Sequence, residues 1–224
     1  MTKISALFSQ KDFLVIVSLP QNDFELALVA FSCAPDAIKV HLNVEHKASG
    51  TRFGGWAEEK NTIDQILRAA TCPVGLMPGA ETMITASELE AAQSAGIDFI
   101  DIYDFHMPPW MLNFPITKMI AVGSGYCFRD VKLLETLGAD MIEASIVPSA
   151  DYRQPLTVKD LEAYRLIVES TALPVVVPSQ KKIEPSDIAL LKQVGVKGVI
   201  LGTISLGDTP ESFQQQLPQF VQKC

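Results

Sequence analysis

Gly96-Ile97-Asp98-Phe99-Ile100-Asp101-Ile102-Tyr103 decides the fold, because three other stretches of the chain align with it. They are Ala34-Pro35-Asp36-Ala37-Ile38-Lys39-Val40-His41, Gly138-Ala139-Asp140-Met141-Ile142-Glu143-Ala144-Ser145 and Gly195-Val196-Lys197-Gly198-Val199-Ile200-Leu201-Gly202. Each reads as a helix end, a tight turn and a short apolar strand. Glycine opens three of the four, and glycine takes the left-handed helix stop at little cost. One unit repeated along a chain points to an architecture built from copies of that unit.

Working outward, apolar β-branched runs predict strands at 12–19, 37–45, 72–77, 97–104, 118–123, 139–145, 173–178 and 196–203. Helical patterns separate them. Asn22 with Glu25, Thr85 with Glu88 and Thr157 with Asp160 have the spacing of a reciprocal cap. Pro185 and Pro210 sit where a first helical turn accepts proline, with Thr209 placed to cap the second. Strand–helix alternation implies parallel strands joined by right-handed crossovers. Eight units in 224 residues predict an α/β fold, a single closed (β/α)8 TIM barrel with an eight-stranded parallel sheet, spanning 1–224 as one domain. No glycine-rich nucleotide loop follows the first strand, which weakens an open dinucleotide-binding sheet.

Hydrophobic residues make up 48% and charged residues 20% of the chain, as in ordinary globular proteins. A net charge of −8 leaves no surplus of lysine and arginine to displace counterions, so nucleic acid is not an expected partner. Phe13–Leu19 is apolar but too short to span a bilayer, so no membrane partner is expected either. The 4 cysteines, at 33, 72, 127 and 224, form no CxxC pair. They suggest a reducing, cytoplasmic setting rather than a disulfide framework.

In a closed barrel, equivalent positions of alternate strands share an interior layer. The sixth positions of the four aligned segments hold Lys39, Asp101, Glu143 and Ile200, and the eighth hold His41, Tyr103, Ser145 and Gly202. Alternation along the second strand sends Ile38, Val40, Leu42 and Val44 outward and Lys39, His41, Asn43 and Glu45 inward. Charges are costly to bury without a task or a firm pairing. Lys39, Asp101 and Glu143 are therefore the expected catalytic group, in proton transfer or as an imine-forming amine. Nearby carboxylates favour the charged lysine and burial favours the neutral one, opposing terms that poise an amine near neutrality. The same pattern fits an ion-pair layer that only braces the barrel.

His41 is a candidate acid, base or hydroxyl-holding ring, or else a core histidine. Asn43, Tyr103 and Ser145 are expected to orient substrate. Arg52, within Ser49-Gly50-Thr51-Arg52-Phe53-Gly54-Gly55, has glycines on both sides and suits clamping a carboxylate or phosphate. Glu45, His46, Asp104 and His106 flank the same mouth and offer metal-ligand types, but with no recognised spacing, so no metal is assigned. Met107, Trp110, Met111 and Phe114 read as an apolar wall of the pocket, a subunit contact or a cap over the core, which leaves a homo-oligomer open.

Pro174-Val175-Val176-Val177-Pro178-Ser179-Gln180-Lys181-Lys182-Ile183-Glu184-Pro185, followed by Gly195-Val196 and Gly198-Val199-Ile200-Leu201-Gly202-Thr203, resembles the seventh and eighth units of phosphate-binding TIM barrels of the ribulose-phosphate-binding type. The resemblance covers roughly 35 residues strongly and the rest as architecture. It implies phosphate held by backbone N–H groups after strands seven and eight, here at Ser179, Gln180, Gly202 and Thr203. This chain departs from that pattern by placing Ser179 and Gln180 where the family usually has glycine, and it lacks the DxKxxD motif of the decarboxylase group.

These readings together predict a lyase or isomerase acting on a small anionic metabolite, phosphorylated or carboxylated, with no cofactor implied by any motif. The alternatives are a metal-assisted lyase built on Glu45, Asp104 and His106, and a barrel that binds a phosphate ligand without turning it over.

Overall fold

The computed structural model describes residues 3–224; Met1 and Thr2, part of the expected 1–224 unit, lie outside it. The barrel strands are β1 (Leu14–Ser18), β2 (Ala37–His41), β5 (Val74–Met77), β6 (Phe99–Tyr103), β7 (Thr117–Val122), β8 (Met141–Ala144), β9 (Val175–Pro178) and β10 (Gly198–Leu201). They pair in parallel in chain order, and β10 closes on β1 with Ile16 opposite Ile200. A small antiparallel hairpin, β3 (Val44–His46) and β4 (Thr51–Phe53), stands apart from the barrel sheet. The chain is a (β/α)8 TIM barrel; seven of the eight expected strands contain one of these, and the expected 118–123 overlaps Thr117–Val122 shifted by one residue.

Crossover helices cover the barrel: α2 (Phe24–Ser32), α3 (Trp56–Ala69), α4 (Ala86–Ala95), α5 (Phe128–Thr136), α6 (Val158–Ser170), α7 (Ile188–Gln193) and α9 (Pro210–Val221), with a one-turn α8 (Thr203–Leu206) after β10. Thr85 with Glu88 and Thr157 with Asp160 form the expected capping boxes. At α2 the expectation is corrected. Asp23, not Asn22, accepts from the Leu26 N–H at 2.7 Å. Asn22 instead brackets the His41 backbone, donating to its carbonyl at 2.8 Å and accepting its N–H at 3.1 Å, and so holds the end of β2. Gly96 ends α4 at φ 124°, a conformation that Cβ-bearing residues rarely adopt.

Two apolar layers follow from strand alternation. Outward side chains such as Ile38, Val40, Ile100, Ile102, Ile142 and Val199 pack under the helices. Inward ones, Leu14, Ile16, Phe99, Met119, Met141, Val176 and Ile200, fill the lower barrel. Each such side chain contributes about 1.5–3 kcal/mol on burial. Gly75 makes room for this filling, since a Cβ there would come within 2.2 Å of Phe99 Cζ. A helix before the barrel, α1 (Ile4–Gln10), stoppers the bottom with fully buried Ile4, whose N–H donates to Asp98 at 2.7 Å.

Candidate active site

Above the filled lower barrel lies a cleft of about 1410 Å³ that opens at the C-terminal ends of the strands. Its floor is the layer expected from the repeat. Lys39 Nζ donates to Asp101 Oδ2 at 2.5 Å and to Glu143 Oε2 at 3.4 Å. These residues are 7%, 2% and 5% exposed, and all three line the cleft. Ile200, the fourth member of the layer, closes it with apolar surface.

The charge state differs from the sequence expectation. Burial works against the Lys39 ammonium, but Asp101 and Glu143 outweigh it and raise the lysine above its ordinary range. Lys39 is therefore held protonated rather than poised near neutrality. Burial, and then the charge of Glu143, push Asp101 well above the usual carboxylate range. Glu143 goes down: burial opposes its charge, but Lys39 and hydrogen bonds from Asp101, Lys39 and Ser145 prevail. One ammonium faces two acids, and Asp101 is the acid that retains a proton more readily. Its Oδ1 is buried and has no partner.

The next layer up holds His41, Tyr103, Ser145 and Gly202. Tyr103 OH and Ser145 Oγ lie 2.5 Å apart. Gln180 Nε2 donates to Ser145 Oγ at 2.9 Å and to Tyr152 OH at 2.7 Å, while its Oε1 accepts from the Val147 N–H at 3.0 Å. Burial, then the Glu143 charge, raise the Tyr103 phenol, which keeps it protonated. His41 Nε2 sits 3.2 Å from Ser18 Oγ and its Nδ1 has no partner. Burial, His46 and Lys39 all lower its pKa, so the ring is neutral.

At the rim the chain turns through Asn43, left-handed at φ 49°, into the β3–β4 hairpin. That turn brings His46 and Phe53 against the His41 ring, at centroid distances of 5.0 and 4.7 Å. Burial, then Lys39, lower His46 to about 4. Arg153 Nη2 reaches over from the loop after β8 and donates to the hairpin carbonyl of Ala48 at 2.7 Å. Arg52 is exposed on β4 and pairs with Glu58 at 3.4 Å. Asn43 and Arg52 both line the cleft.

At the ends of β9 and β10 the Ser179 N–H donates to Ile200 O and the Gln180 N–H to Pro178 O, each at 2.8 Å. The Gly202 N–H donates to Ser179 Oγ at 2.9 Å. Thr203 Oγ1 is buried without a partner. All four residues line the cleft.

Some expectations are corrected. Met107, Trp110, Met111 and Phe114 do not line the cleft. They sit on or beside the 3-10 turn Pro109–Asn113, where Met111 is fully buried and Met107 and Phe114 pack on the core between strands and helices. Glu45, Asp104 and His106 line the mouth, yet among the described residues no group of three or more histidine, cysteine, aspartate or glutamate side chains is placed to hold a metal. Ser18 and Tyr152 are among the cleft residues that escaped the sequence reading. Ser18 follows from the alternation that turns Leu14 and Ile16 inward. Tyr152 lies beyond the 3-10 turn Ser149–Asp151, where no periodicity announces it.

No family model matches the chain, and no curated protein matches it. Solved structures do. Tryptophan synthase from M. tuberculosis superposes with a TM-score of 0.74 at 11% identity, over 99% of each chain. The tryptophan synthase α-subunit from Pyrococcus furiosus gives 0.69 at 14% identity, over 95% of this chain and 99% of that one. Thiamine phosphate pyrophosphorylase from Pyrococcus furiosus gives 0.66 at 17% identity, over 95% of each. The likeness is one of fold. Among the described residues no helix is long and apolar enough to cross a membrane.

Proposed function

We propose that this barrel is an enzyme, a lyase or isomerase that moves a proton on a small phosphorylated or carboxylated metabolite at the C-terminal mouth. One observation carries the reading: an ammonium and two carboxyl groups form the floor of a cleft that opens to solvent, instead of being sealed under aliphatic filling. Two of the solved structures of like fold are a synthase and a pyrophosphorylase, which supports enzyme status.

The geometry supports a division of labour. When a C–H or C–C bond beside a carbonyl breaks, negative charge grows on the carbonyl oxygen. The Lys39 ammonium, desolvated and fixed, is suited to stabilise it. Asp101, raised and with one oxygen unpartnered, suits a proton carrier. Glu143 keeps Lys39 charged. Tyr103 and Ser145 are placed to hold a substrate oxygen, and His41 and Asn43 to orient it. Of the two lysine chemistries expected, acid–base action is the better supported, because imine formation needs the neutral amine. The free state of all four cysteines accords with a cytoplasmic setting.

The test is solvent deuterium exchange, followed by NMR, across small hydroxy-carbonyl carboxylates and phosphates. The expected result is exchange into at least one of them, lost in Lys39→Met and reduced about 10²–10⁴-fold in Asp101→Asn. Covalent capture of substrate by borohydride reduction, seen by mass spectrometry and absent in Lys39→Met, would instead establish the imine route. Binding without exchange or turnover would establish the non-catalytic barrel.

A further inference from the structure

Ser179 occupies a decisive place between β9 and β10. Its Oγ accepts the Gly202 N–H at 2.9 Å, which takes up that backbone donor. The N–H groups of Ser179 and Gln180 are spent on Ile200 and Pro178 carbonyls, and the Gln180 side chain is spent on Val147, Ser145 and Tyr152. Two hydroxyl protons remain. Ser179 Oγ accepts from Gly202 but finds no acceptor for its own proton among the described residues. Thr203 Oγ1 is buried with no partner at all. Ser179 is 7% exposed, and both residues line the cleft.

Resting on the acid–base reading above, we infer that Ser179 selects the anion: this end of the cleft takes a carboxylate in preference to a phosphate. Its hydroxyl stands against the Gly202 N–H, where an anion's own oxygen would dock if residue 179 were glycine. The ligand is therefore held one hydroxyl further out, by two O–H donors. Two donors match the two oxygens of a carboxylate and leave a phosphate group's third oxygen unserved. Charge acts in the same direction. With Lys39 set against its partners Asp101 and Glu143, four further acids, Glu45, Glu81, Asp104 and Asp130, face two further cations, Lys47 and Arg52, along the cleft. A dianion is repelled by that surplus more strongly than a monoanion. The substrate class is thus a hydroxy- or keto-carboxylate, with a hydroxyl donating to the unpartnered Asp101 Oδ1.

Titration calorimetry with glycerate and glycerol phosphate compares the two anions on one three-carbon frame. The intact protein should bind glycerate more tightly, and Ser179→Gly should shift the ratio toward glycerol phosphate by about tenfold or more, because the Gly202 N–H is then free to meet the anion. Ser179→Ala, which keeps the Cβ, should shift it the same way and serves if the glycine variant does not fold. Tighter binding of glycerol phosphate by the intact protein, an unchanged ratio in both variants, or no binding of either probe would overturn the inference. Turnover is not the readout. Deuterium exchange, measured separately on the intact protein, tests the acid–base reading, so a failure here and a failure of that reading are separable.

Discussion

Replacing Lys39 by Met is the sharpest test of how the floor is built. The side chain is removed from between two carboxyls that are 2% and 5% exposed, at 2.5 and 3.4 Å. At an effective dielectric of about 20, the Lys39–Glu143 attraction at 3.4 Å is on the order of 5 kcal/mol before desolvation is set against it. Breaking a buried pair by deleting one partner typically costs about 3–5 kcal/mol, because a charge is left uncompensated. For a chain of 224 residues that corresponds to a fall in Tm of about 6–20 °C. The loss should depend on pH. In the wild type Lys39 has a raised folded-state pKa, so its contribution is complete at neutral pH and is lost only as pH climbs through the strongly alkaline range. In the variant both carboxyls lose their cation, and their folded-state pKa values rise above the unfolded ones. Such groups stabilise below the unfolded carboxylate value, and that contribution is lost as pH rises through the folded value. The deficit should therefore be largest near pH 8 and shrink toward pH 5. Urea denaturation followed by circular dichroism at the two pH values measures it. A variant as stable as wild type at pH 8, or a deficit equal at both, would refute the buried triad.

Gly75→Ala drives a Cβ into the Phe99 ring and should destabilise by about 1–3 kcal/mol, read as a lowered Tm. Gln180→Ala strips partners from the Val147 N–H and from the hydroxyls of Ser145 and Tyr152, and should cost about 1–3 kcal/mol for each group left buried and unpaired; denaturant unfolding checks it. Arg153→Ala releases the hairpin from the loop after β8, so hydrogen exchange across Val44–Phe53 should accelerate while global stability changes by less than about 1.5 kcal/mol.

The barrel was legible because its signal is redundant. Four aligned turns, eight apolar runs and the glycine stops all specify one topology, and strand alternation placed Lys39, Asp101 and Glu143 in a shared layer. The protonation of that layer was not legible. It depends on whether two carboxylates or the loss of water dominates at one amine, which distances decide and spacing does not. The hairpin was hidden for a different reason. Ser49 to Gly55 looks like a mobile glycine-rich loop, and only the turn between His46 and Thr51, closed by the Gly50 N–H on His46 O at 2.8 Å with Gly50 left-handed at φ 71°, folds Val44–His46 back on Thr51–Phe53. Met107 to Phe114 stayed ambiguous because an apolar, proline-rich segment on the catalytic face reads equally as pocket wall or as a cap over the core, and only its 3-10 turn, which carries Met111 into the outer core, decides for the cap. Asn22 misled because one position decides which of two neighbouring polar residues caps a helix.

The stopper formed by Ile4, Phe99 and Met141 gives the barrel a dead end. Everything that reaches Lys39 must arrive and depart through one aperture, beneath a hairpin continuous with the strand that bears the lysine. Under the acid–base reading, product would leave by the same mouth that admits reactant, and accumulated product should compete with it.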